Sequence, residues 1–141
     1  MSMDMLYENA DKSLERVFNA SNYNMMLFLD HMVKNLNNRI EKLETWIEVR
    51  QNQIETEEMD DHEKSYYNES IADAKSQLFY ITSGHLSFKL LKEGKKTGMY
   101  GLAVSLPLVD VDEQFQYYAN CIQHEAVKTL MFQGNPDIWV A

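Results

Sequence analysis

The chain has 141 residues, enough for one domain that buries roughly two thirds of its unfolded surface without disulfide or metal staples. Its 22 acidic and 13 basic side chains give a net charge of −9, and the average field repels nucleic-acid backbones and anionic lipids, which disfavours direct nucleic-acid binding. Five glycines and two prolines are too few for a turn-rich all-β domain, so a mostly helical fold is expected.

A first helix is predicted over 4–20, with Leu6, Ala10, Leu14, Val17 and Phe18 on one face and Glu8 four residues before Lys12 on another. The stretch NASN at 19–22 breaks it, because short polar side chains bond to local backbone, and Ser21 or Asn22 caps a long helix over 22–56. That helix carries the strongest pattern in the chain: Met26, Leu29, Val33, Leu36, Ile40, Leu43 and Ile47, then Arg50 where an apolar residue is due, then Ile54. Such a seam faces either a second helix of the same chain or a second copy of the molecule. Met25, Leu27, Phe28, Met32 and Trp46 widen the apolar surface beyond one stripe, which requires more than one neighbour.

Between Glu55 and Glu63 six carboxylates fall within nine residues, and their mutual repulsion marks a turn. Beyond it Tyr67, Ile71, Ala74, Leu78 and Ile81 predict a helix over 62–83 that folds back on the long one, since so local a loop costs little to close. Gly84 is placed to end that helix in a left-handed conformation, and a short helix over 85–94 follows, ended by Gly94. Over 99–109, Leu102, Val104, Leu106 and Leu108 alternate with Ala103, Ser105 and Pro107, which reads as a strand or an extended connector. A strand would need a partner from the tail at 137–141 or from the same segment of another subunit. Asp110 and Glu113 match a capping box that opens a last helix over 111–133, bearing Phe115, Tyr118, Ala119, Ile122, Ala126 and Leu130 on one face, with 134–141 as a tail. The expected fold is mostly α, an antiparallel helical hairpin or bundle of about four helices with one short extended or β segment near 99–109, in a single domain over 1–141.

The residues suited to chemistry are scattered. His31, His62, His85 and His124 form neither HExxH nor the Glu-x-x-His pair of di-iron bundles, and Cys121 with His124 offers two ligands where zinc takes three or four. No GxSxG, P-loop or dinucleotide turn is present, and Gly94-Lys95-Lys96-Thr97-Gly98 lacks the upstream glycine of a P-loop. The acidic turn lacks the ligand order and central glycine of an EF-hand, which leaves it a solvated loop or, less simply, a mimic of a nucleic-acid backbone. No catalytic set, metal or cofactor is therefore expected.

Two features suit binding. Lys89, Lys92, Lys95 and Lys96 concentrate positive charge beside Gly94, Gly98 and Gly101, where an anion or an acidic partner surface could sit, with Tyr100 able to stack on a base. The same lysines also suit the C-terminus of any helix. Trp139 in the tail either packs on its own fold or inserts into a sister subunit or target. The longest apolar run, Met25 to Leu29, is far short of the ~20 residues of a membrane span. The opening MSMDMLYENADK lacks a signal-peptide pattern, and one thiol suits a reducing compartment, so a soluble cytoplasmic protein is expected. The acidic composition, rich in Met, Asn and Tyr, has the character of phage or mobile-element accessory proteins, with no motif behind the likeness. The leading expectation is a non-enzymatic helical interaction protein, homo-oligomeric, that binds and blocks or adapts another macromolecule. The rival is a binder of a phosphorylated metabolite or nucleotide through Lys89 to Tyr100.

Overall fold

The computed structural model describes residues 22–95 and 97–132. The helix predicted over 4–20 and the tail from 134 lie outside the described residues. Within them the chain forms four α-helices and no strand: α1 (Asn22–Thr56), α2 (Asp61–Lys92), α3 (Met99–Ser105) and α4 (Gln116–Phe132), with 3-10 turns at Leu106–Leu108 and Glu113–Phe115.

The seam of α1 faces α2, which returns antiparallel beside it. Leu29, Leu36, Leu43 and Ile47 of α1 are buried together with Ile71, Ala74, Ile81 and Phe88 of α2, and each large apolar side chain so removed from water contributes about 1.5–3 kcal/mol. At about 1.5 Å per residue the hairpin arm is ~50 Å long. The acidic turn supplies its own start signal. The Asp60 carboxylate accepts a hydrogen bond from the Glu63 backbone N–H at 2.7 Å, and Asp61 and Glu63 sit in the first turn of α2, where the helix dipole favours negative charge.

The wide stripe on α1 does meet a second neighbour. Phe28 and Met32 lie off the seam yet are fully buried, and the Phe28 ring packs against Phe88 at 6.0 Å, Phe115 at 5.9 Å and Tyr118 at 5.7 Å between centroids. The entry to α4 thus closes over the base of the hairpin. Asn35 holds that entry by donating from Nδ2 to the Asp110 carbonyl at 2.9 Å.

Three expectations are corrected. One continuous helix replaces the pair predicted over 62–83 and 85–94, because Gly84 does not end a helix. It is buried inside α2, and a Cβ built on it would lie 2.0 Å from Ser105 Oγ and 2.2 Å from Ser105 Cβ. Glycine is present there for the close approach of α3. The left-handed residue is Gly94, at φ 71°, and the hydrogen bonds Gly94 N–H to Leu91 O (3.0 Å) and Lys95 N–H to Leu90 O (2.9 Å) complete a Schellman ending.

The segment expected to be extended near 99–109 is helix α3 followed by a 3-10 turn. Met99, Leu102, Ala103 and Leu106, at helical spacing, are all buried, and a helix satisfies its own backbone donors without a partner strand. The last helix opens later than the capping box at Asp110 implied. Asp112 precedes a 3-10 turn whose Phe115 N–H donates to the Asp112 carbonyl at 2.9 Å, and Asp110 serves the Asn35 contact instead.

α3 lies nearly backbone to backbone on α2. A Cβ on Gly101 would meet the Ser83 carbonyl oxygen and Ser87 Oγ, each at 2.5 Å. Thr97 Oγ1 donates to the Ser87 carbonyl, and Ser87 Oγ lies within hydrogen-bond distance of the Gly98 and Ser83 carbonyls. Ser105 Oγ is buried without a partner among the described residues. Gly84→Ala is therefore expected to cost about 2–3 kcal/mol in denaturant unfolding, because the Ser105 Cβ has no rotamer that avoids the clash and α3 must move. Ser105→Ala should leave stability unchanged or raise it by up to about 1 kcal/mol, since it removes a buried hydroxyl that has no acceptor. A loss above about 1 kcal/mol for Ser105→Ala would contradict this account.

Candidate functional site

The lysine-rich region is the end of α2. Lys92 pairs across the hairpin with Asp30 of α1, and Lys95, just past the Schellman turn, pairs with Glu93 at 3.0 Å. That contact, through its hydrogen bond first and its charge second, holds the Glu93 carboxyl below the usual range. Tyr100 of α3 packs its ring edgewise on Tyr80 at 6.2 Å, and desolvation first, then the hydrogen bond to Tyr80, raises its hydroxyl above the ordinary value. Tyr80 and Lys89 are nine residues apart on α2, about two and a half turns, and so leave the helix on opposite sides. The structure therefore places Tyr100 on the flank away from Lys89, and two of the described lysines already hold carboxylates. Lys96 and Trp139 lie outside the described residues.

A different surface combines exposed cations with apolar area. Along one flank of α1 stand Asn35, Asn38, Arg39, Lys42, Trp46, Val49 and Arg50. Near the base, the 107–110 segment borders this flank, leaving a groove of about 360 Å³ lined by Asn35, Arg39 and Lys42 opposite Pro107 to Asp110. Toward the tip a groove of about 420 Å³ continues between α1 and α2 alone, from Arg39 and Lys42 past Trp46 to Ser70, Asp73 and Gln77. The second layer of the fold ends partway along the hairpin, and the flank beyond is bare among the described residues.

Arg39 and Lys42 are exposed, and neither forms an ion pair among the described residues. Trp46 is half-buried against the core, and the Arg50 guanidinium lies over its ring at 5.1 Å, also donating to Gln53 Oε1 at 3.2 Å. Arg50, the one interruption of the α1 seam, therefore has a role as the lid of the tryptophan. Val49 is 44% exposed beside it. A flat aromatic with a stacked cation and two unpaired cations one and two turns away can hold carboxylates and apolar side chains of another chain. Sequence reasoning missed Arg39 and Lys42. Their signal is the spacing of Arg39, Lys42, Trp46 and Arg50 by three, four and four, which puts all four on one flank of a helix.

The six carboxylates from Glu55 to Glu63 are all exposed, at the tip of the same arm. A second apolar stripe, Phe79, Leu86 and the half-buried Leu90, runs along the outer side of α2. Among the described residues no group of three or more His, Cys, Asp or Glu side chains is arranged to hold a metal, and no helix is long and apolar enough to cross a membrane. No protein-family model matches the chain, and neither a curated protein nor a solved structure matches it.

One titration follows from this region. Burial first, and the Lys89 ammonium second, hold the His85 imidazole below its ordinary value of 6.5. The unfolded chain takes up that proton as pH falls through about 6.5 while the folded chain resists it, so this contribution to stability is full above 6.5 and is lost as pH falls through the lower folded value. Melting temperatures of wild type and His85→Gln between pH 7.5 and 5 should show wild type losing more stability than the variant. Parallel curves would overturn the assignment.

Proposed function

We propose that this protein is a non-enzymatic helical interaction module that acts by laying the bare flank of its α1–α2 arm on another polypeptide. The observation that supports this most directly is the unequal length of the two layers, which leaves Trp46, Val49, Arg39 and Lys42 on a helix flank where, among the described residues, the two cations have no ion-pair partner. Aromatic and arginine side chains are enriched among the residues that dominate interface energy, and a flank held by a packed seam is ordered before it binds. The lysines at the end of α2 support an anion site less well, since Lys92 and Lys95 already have carboxylate partners.

A photo-crosslinking amino acid at position 49 tests this reading in living cells, with the same group at exposed Glu69 on α2 as the control. Covalent protein adducts are expected from position 49 and not from 69. Adduct yields that are equal at the two positions, or absent from both, would remove the flank from the account. Trp46→Ala should lower adduct yield from position 49 while costing at most about 2 kcal/mol of stability, because the ring is only half-buried.

A further inference from the structure

The flank needs a partner bearing carboxylates next to a small apolar surface, and the chain itself carries one. Lys42 of α1 and Glu57, one residue past its end, are fifteen residues apart, about 22 Å at the rise of a helix. A rigid helix cannot bring them together within one molecule, but an antiparallel copy does so by symmetry. We propose that two copies pair through this flank about a two-fold axis that passes between Val49 and Arg50, with the acidic hairpin tip of each copy on the Arg39–Lys42 cations of the other. The proposal rests on the interaction reading above and names its partner as a second copy.

The register follows from the axis. With Val49 opposite the aliphatic stem of Arg50, Trp46 comes opposite Gln53 and Lys42 opposite Glu57, and the hairpin turn beyond the end of α1, which carries Asp60, faces Arg39. Trp46, Val49, Arg50 and Gln53 lie on the same flank of α1 as Arg39 and Lys42, and Glu57 continues it, since its N–H still donates to the Gln53 carbonyl at 2.9 Å. Each favourable pair occurs twice, as an isologous contact requires. The centre combines Val49 and Trp46 with the stem of Arg50, whose guanidinium stays on its own Trp46 and Gln53, and the ends carry the opposite charges.

Charge complementarity in this register is the reason for naming a second copy as the occupant. Each copy carries −9 overall, so two copies repel at long range, but that field is screened over about 8 Å at physiological salt, whereas paired side chains meet inside that distance. The outer stripe of α2, Phe79 to Leu90, is a separate apolar face that this pairing leaves exposed.

The test is a charge exchange read by sedimentation equilibrium. Wild type is expected to be a dimer. Arg39→Glu with Lys42→Glu should raise the dimer dissociation constant at least about tenfold, and so should Glu57→Lys with Asp60→Asn, where Asn keeps the helix cap and removes its charge. Mixing the two double variants should restore the dimer, because each then supplies what the other lacks, and a folding defect in either would not be repaired by mixing. Circular dichroism of each variant should match wild type. Wild type that stays monomeric, a dimer unmoved by both double variants, or a mixture that fails to recover association would each overturn the proposal. The two readings fail separately: adducts from position 49 to other proteins, with purified chain monomeric, would keep the interaction module and remove the self-pairing.

Discussion

The close approach of α3 to α2 sets the rest of the architecture. Where Gly84 and Gly101 remove side chains, and Ser87, Ser105 and Thr97 supply small ones, two helices touch almost backbone to backbone. That contact fixes where the chain goes after the Schellman turn at Gly94. It must cross under the end of α2, and so returns to the base of α1 through Leu106 to Asp110. Phe115 and Tyr118 then meet Phe28, and Gln123 Nε2 of α4 donates to the Ala103 carbonyl at 2.9 Å. Among the described residues the second layer is thereby anchored at one end of a longer hairpin, and the arm beyond it is a consequence of that anchoring.

The hairpin was legible in the sequence because its signal is redundant. Eight apolar residues from Met26 to Ile54 keep one alternating three-and-four spacing, broken only at Arg50, and tertiary context would have had to override all of them. Gly84 was not legible, because a glycine looks the same whether it is chosen for a left-handed backbone or for the absence of a Cβ, and only the neighbour decides. The segment from Met99 to Leu108 satisfied two periods at once. Leu102, Val104, Leu106 and Leu108 alternate, while Met99, Leu102, Ala103 and Leu106 share a helical face, and the burial of the second set shows which period won. A helix satisfies its own backbone donors whereas a strand depends on a partner outside the segment, and that difference favours the helix.

The candidate surfaces show a similar division. The lysines near residues 89–96 stood out against an acidic chain, but composition does not reveal partners: Asp30 is sixty-two positions from Lys92 in sequence and adjacent to it across the hairpin. Arg39 and Lys42 were hidden for the opposite reason. They lie within the helix judged only by its apolar seam, and their exposure depends on where the second layer stops, which is set by the glycine contact far along the chain. Arg50 was visible as a break in the seam. Its stacking on Trp46 explains why a charge is tolerated there, since the guanidinium face covers the ring while its edge keeps a hydrogen bond to Gln53.

Six carboxylates crowd the tip, of which Asp60 caps α2 and Asp61 and Glu63 sit in its first turn, where the helix dipole favours negative charge. The nearest exposed cations on the same flank, Arg39 and Lys42, are held about 22 Å away by a helix too stiff to bend back. A soluble surface ordinarily intersperses its signs, so that neighbouring charges offset one another locally. Here the two signs are separated along a rod in an order that reverses into itself when the rod is turned end for end. An antiparallel contact about Val49 would set Lys42 against Glu57 twice, a pairing that the stiffness of the helix prevents within one molecule.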